Sequence, residues 1–316
     1  MAVFSVDLTA PVSRHEVINN FQGSVLSAGA AIRITSTDKL TGARIFSSFD
    51  DSSKSLPYEG PDLQVGHLPD GDHVLTYYAE DQVKNREPNN TFTFYLDKTA
   101  PQVAHALEGD HHTVIDKIFV SPRTRIGLAA TDNKIGVDRM EFQFDHGVFE
   151  KYTSPIAIPL KGVTTTVTYR AADLLNNMSQ TSKFDIYIDR SAPKSRLSFS
   201  GPHFEQRGKI WLTQETRISI LSTDTESGVQ NIYYRKGADS ETRYSEAFAV
   251  ASEGPLELDF WSVDQVNNRE ENHKVALAVD NTPPRLLRPL ISPVRIRPGM
   301  ETARLFSPIR ATRPYF

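Results

Sequence analysis

Nine aspartates are the residues whose types and spacing could do chemistry. They fall into three sets: Asp7 with Asp38 and Asp81, Asp97 with Asp132 and Asp173, and Asp189 with Asp224 and Asp264. Amides follow the last member of each set at Asn85, Asn176 and Asn267. If each set converges, it offers hard oxygen ligands of the kind calcium takes, six to eight per ion. Three carboxylates so close would otherwise repel one another. The competing reading is local: Asp and Asn at strand ends accept backbone N–H groups in Asx-turns, and this simpler role is the favoured of the two. No cofactor is required under it, whereas calcium would sit at the unit junctions under the other.

Catalysis finds less support. A carboxylate pair could serve a glycosidase, but equal repetition in several small units suits a structural role better. The chain carries no Gly-x-Ser-x-Gly, His-Glu-x-x-His, Walker or Gly-x-Gly-x-x-Gly motif. Its nine histidines are read as out of register with the repeats, and no catalytic residue is assigned. A sugar-binding platform needs exposed aromatics. Of two tryptophans, Trp261 lies out of phase with the inward set of its strand and is expected to face solvent, as a candidate ligand-binding residue. Trp211 is expected to pack on an early strand.

The elements that must position these residues repeat with them. The mark Asp-x-Thr/Ser-Ala/Pro-Pro occurs at Asp7, Asp97, Asp189 and Asp280, at intervals of 90, 92 and 91 residues. A period this regular signals a repeat architecture. Each unit has an early strand ending in Asp, with Ile32 and Ile34, Ile126 and Leu128, or Ile218 and Ile220 alternating with small residues. A turn Gly follows four residues later at Gly42, Gly136 and Gly228. A Tyr-x-x-Pro-like edge element comes next, then a Gly-initiated strand whose inward set is Leu75/Tyr77/Ala79, Val167/Tyr169/Ala171 or Leu258/Phe260/Ser262.

About seven short strands per unit, with no helical periodicity, predict an all-β chain of three tandem Ig-like or FnIII-like antiparallel β-sandwiches in an elongated array. The expected boundaries are 11–97, 98–189 and 190–280. Residues 1–10 would be the closing strand of a preceding repeat, and 281–316 an Arg/Pro-rich tail or partial fourth repeat. On that reading the chain is a piece of a longer protein.

Composition narrows the function. The chain has 316 residues, no Cys and a net charge of −4. No disulfide framework, Cys-ligated zinc or thiol nucleophile is available. Residues 285–316 hold seven Arg and one acid, so the remaining body is strongly acidic. An acidic body argues against a nucleic-acid scaffold, while the Arg-rich tail is a candidate docking point for a larger assembly. No apolar run is long enough for a membrane-spanning helix, and the first residues lack the charge and hydropathy of a secretion signal.

The motifs Thr-Asp-x-x-x-Gly-Val, Tyr-x-x-Pro, Asp-x-x-Asn and Asp-x-Thr-Ala-Pro resemble those of bacterial Ig-like tandem repeats of surface proteins. Over residues 1–284 the chain is similar to the leptospiral outer-membrane-protein-47-type repeat, most closely at 222–229 and 261–270. Where related repeats place Gly before the Asn of the late turn, this chain has Lys84, Asn176 and Asn267. The resemblance implies sandwich domains outside the cytoplasm, acting as a spacer stalk or an adhesive surface for a protein or glycan partner. A carbohydrate-binding accessory module of a larger secreted enzyme is the alternative.

Overall fold

The computed structural model describes residues 5–40 and 42–284. The tail from residue 285 lies outside the described residues, as do residues 1–4. Residues 5–10 carry no strand, and the rest of the closing strand expected over 1–10 lies outside the described residues. Val6 and Leu8 are exposed.

The chain is a tandem array of three Ig/FnIII-like sandwiches, each made of a small and a large sheet. In the first unit the small sheet pairs Val12–Ile18 with Ala31–Thr37, and Leu63–Gln64 adds a short third strand. The large sheet runs Phe21–Gln22, Val25–Ser27, Asn90–Asp97, Gly71–Asp81, Ala43–Phe49 and Leu56–Tyr58 in spatial order. The second unit repeats this with Gln102–Glu108, Arg125–Thr131 and Ile156–Ala157 facing a sheet centred on Thr164–Asp173 and Ser182–Ile188. In the third unit, Lys194–Ser200 and Arg217–Thr223 face a sheet centred on Gly254–Asp264 and His273–Val279. There the third small-sheet strand shrinks to one bridge, Ile218 to Phe248. Pairing is antiparallel except for one short parallel contact per unit: Val25–Ser27, Lys117–Val120 and Lys209–Leu212, each against the last strand.

The alternation read from the sequence builds these sandwiches. Ile32, Ile34, Leu75, Tyr77, Phe94 and Leu96 form the first core. Ile126, Leu128, Val167, Tyr169, Ile186 and Ile188 form the second, and Leu212, Ile218, Leu258 and Leu277 the third. Each unit therefore buries its own apolar interior, which is the dominant stabilising term for a domain of this size.

Two turns set up the site. After the early strand, Gly136 and Gly228 take φ of 89° and 90°, as expected for glycine turns. After the long central strand, Lys84, Asn176 and Asn267 take φ of 77°, 65° and 61°. These positions occupy the left-handed region that glycine would fill, and asparagine tolerates it best among the other residues.

Candidate metal centre at the unit junctions

The late turn is built by one carboxylate. Asp81 Oδ1 accepts from the backbone N–H of Val83 at 2.9 Å and of Asn85 at 2.8 Å, while Oδ2 accepts from Asn85 Nδ2 at 2.7 Å. Asp173 does the same for Leu175 and Asn177, and Asp264 for Val266 and Asn268. All three aspartates are almost completely buried. This is the Asx-turn role.

The amide that matters lies four residues after the Asp, at Asn85, Asn177 and Asn268. That corrects the assignment to Asn176 and Asn267, whose positions instead supply the left-handed turn residue. The same amide reaches the preceding segment of chain: Asn85 Nδ2 donates to Asp7 O at 3.1 Å, Asn177 Nδ2 to Asp97 O at 3.1 Å, and Asn268 Nδ2 to Asp189 O at 3.2 Å. One side chain thus closes its own turn and straps the preceding linker to it, three times along the chain.

The early-loop aspartates cap locally with one oxygen. Asp132 Oδ1 accepts from the N–H groups of Lys134, Ile135 and Gly136, and Asp224 Oδ1 from those of Glu226 and Gly228. Asp38 Oδ2 accepts from Leu40 N. The linker aspartates cap as well: Asp7, Asp97 and Asp189 each accept from the N–H two residues on.

Convergence differs between junctions. Asp7, Asp38 and Asp81 each offer an oxygen within 4.8 Å of the other two, and so do Asp189, Asp224 and Asp264. Asp97, Asp132 and Asp173 approach one another without forming such a close triad. Burial pushes the Asp97 carboxyl up, opposed by the Thr99 N–H and reinforced by the charges of Asp132 and Asp173. Asp97 is completely buried, yet its Oδ2 has no hydrogen-bond partner, and neither does the buried Oδ2 of Asp132. Burial likewise lifts Asp264 to about 6 against the N–H donors of its own turn, with Asp189 adding to the rise.

Sequence reasoning missed a fourth acid at the third junction. Glu226 is raised first by burial and then by Asp189, and its Oε2 is buried without a partner. It follows Asp224 by two residues, but its counterparts Lys134 and Leu40 are not acidic, so no repeat signal marks it. It borders a groove of about 480 Å³ lined also by Ile115, Lys117 and Phe119 of the preceding unit. Also unforeseen are Arg123 and Asp110, which reach from the second unit to the third. Arg123 donates to Val266 O at 2.8 Å, and Asp110 accepts from Asn267 Nδ2 at 2.7 Å.

The tryptophans exchange their expected places. Trp261 is buried: it stacks on Tyr233 with centroids 6.0 Å apart, and the Arg269 guanidinium lies 4.7 Å from its ring centroid. Lying out of phase does put it on the outer face of the sheet, but the neighbouring strand and the late turn roof that face. It presents no platform. Trp211 is the more exposed ring, at 38%, with Lys209 Nζ 4.5 Å from its centroid. Two histidines are in register after all. His15 and His105 each bond a core tyrosine hydroxyl, Tyr77 at 2.9 Å and Tyr169 at 2.8 Å, which is a packing role.

No protein-family model matches the chain, and no curated protein matches it. Several solved structures are similar at low identity. The fibronectin(III)-like modules of Clostridium thermocellum CbhA are 12% identical with a TM-score of 0.34, over 55% of this chain and 94% of that one. A 1.5-MDa bacterial ice-binding adhesin is 12% identical with a TM-score of 0.39, over 87% and 99%. Three N-terminal domains of the bacteriophage RB49 outer capsid protein Hoc are 10% identical with a TM-score of 0.38, over 86% and 100%. Likeness at this level carries no functional argument. Any function has to be argued from the side chains of this chain.

Proposed function

We infer that the chain is a non-enzymatic repeat array, a spacer stalk or adhesive surface working outside the cytoplasm as part of a larger surface protein. The observation that supports this is the strap repeated at Asn85, Asn177 and Asn268, which ties each unit to the linker before it by one hydrogen bond of the same kind. An array whose units stack only on neighbours extends in one dimension. The Pro at each linker removes a backbone donor and fixes φ, limiting bending there. The buried Trp261 does not favour a carbohydrate-binding module. Among the described residues no helix is long and apolar enough to cross a membrane.

Small-angle scattering tests the reading. Three sandwiches end to end should reach on the order of 100 Å, from strand length and rise. A radius of gyration near ~20 Å, that of a compact chain of this length, would overturn it.

A further inference from the structure

We propose that the junctions before the second and third units each bind a divalent cation of the calcium class. Asp97, Asp132 and Asp173, which do not lie as a close triad in this structure, would close on one ion, and Asp189, Asp224, Glu226 and Asp264 would hold the other. This deepens the array reading, since each ion would join the end of one unit to the loops of the next.

Charge is the first support. Among the described residues, no Lys, Arg or His forms an ion pair with any of these seven carboxylates. The nearby Lys134 places its ammonium over the Tyr95 ring, 3.8 Å from the centroid. Buried anions are costly unless a counter-charge meets them.

Hydrogen bonding is the second and independent support. A carboxylate serving only as a turn cap, and buried, would have no reason to leave one oxygen bare. Asp97 is wholly buried, with Oδ1 on the Thr99 N–H and Oδ2 on nothing; Asp132 divides its oxygens in the same way. Each caps with one oxygen and keeps the other for a ligand that no protein donor supplies.

Geometry at the third unit agrees. Oxygens of Asp189, Asp224 and Asp264 lie within 4.8 Å of one another, about twice a calcium–oxygen bond, so one ion can touch all three. Asp264 Oδ2 and Asp189 Oδ2 each accept one of the described hydrogen bonds, leaving a lone pair on both. Glu226 Oε2 adds a fourth oxygen. The donor set is wholly anionic oxygen, which suits a hard cation and no soft one.

The test uses the full chain, freed of metal with EDTA and titrated with CaCl2 by calorimetry and by thermal melting. Saturable binding and a rise in Tm of about 5 °C or more are expected. Asp132→Asn and Asp224→Asn keep the Oδ1 cap but replace the free charged oxygen. Each should weaken calcium binding at its own junction by roughly tenfold or more. No binding heat and no Tm shift in millimolar CaCl2, with both variants melting higher than the parent, would overturn the proposal and leave capping alone. Scattering with and without CaCl2 separates the two readings. An extended envelope with silent calcium removes the sites and keeps the array; calcium binding by a compact chain keeps the sites and overturns the array.

Discussion

His73 sits between two acceptors, with Nδ1 2.7 Å from Asp50 Oδ2 and Nε2 2.9 Å from the Pro69 carbonyl. Both ring nitrogens must then carry protons. Burial alone would push His73 down, but Asp50 and the carbonyl together raise it above its ordinary value. A raised folded pKa means that the stabilisation is fully present below about 6.5 and is lost as pH rises through the folded value. Urea denaturation of the first unit should therefore show declining stability from about pH 6.5 upward. His73→Gln should flatten that dependence and cost ~1–3 kcal/mol at pH 6, by removing the two hydrogen bonds that a buried, charged imidazole donates. Asn268 is the other decisive residue. Asn268→Ala strips a donor from both Asp264 Oδ2 and the Asp189 carbonyl, and a loss of about 1–3 kcal/mol in the third unit is expected by thermal melting. The nine aspartates were legible because they recur at a fixed period. The working amide was misplaced by one residue because an Asn-Asn pair offers two candidates, and only backbone conformation decides between them.

At the scale of the element, the late turn carries the most information. Its left-handed residue is Lys84 in the first unit and Asn in the others. A lysine there bears the Cβ penalty without the local hydrogen bonding that helps Asn. Its ion pair with Glu80 is on the surface and contributes little in return. Lys84→Gly should stabilise the first unit by ~0.5–1 kcal/mol in chemical denaturation, whereas Asn267→Gly should gain less, because it also gives up the hydrogen bond to Asp110. The long strands were readable from alternation, because each has one face in a core, unlike short edge strands such as His203–Gln206, exposed throughout. What alternation could not show was the roof over the outer face. Arg86 lies over Tyr78 and Arg269 over Trp261, 3.7 and 4.7 Å from the ring centroids. Both arginines come from the late turn directly after the strap amide. A residue eight positions further along the chain therefore decides whether an out-of-phase aromatic is exposed.

At the scale of the molecule, the junctions are not equivalent. Between the second and third units Arg123 bonds Val266 O and Asn268 Oδ1, and Asp110 bonds Asn267. The corresponding turn position in the first unit is Gly29, which has no side chain to offer, so the first two units lack this contact. Units two and three should tumble together more than units one and two, as read from relaxation rates unit by unit. Arg123→Ala should remove the difference while each unit keeps its fold, since the lost coupling is only ~0.5–1.5 kcal/mol. That there are three units was legible because the linker mark repeats. The asymmetry was not, because contacts between units draw on residues outside the repeat signal.

The short parallel contact in every unit has a mechanical consequence. Tension on the array enters a unit through its first strands and leaves through its last. Val25–Ser27 runs parallel to the end of Asn90–Asp97, as Lys117–Val120 does to Ser182–Ile188 and Lys209–Leu212 to His273–Val279. The load then pulls the two parallel strands in opposite directions along their own axes. Bonds such as Tyr95 N to Ser24 O, Asp189 N to Val120 O and Asp280 N to Leu212 O are strained together and not peeled one after another. Each sandwich is closed by a shear clasp at the point where a pulled chain would otherwise begin to unravel.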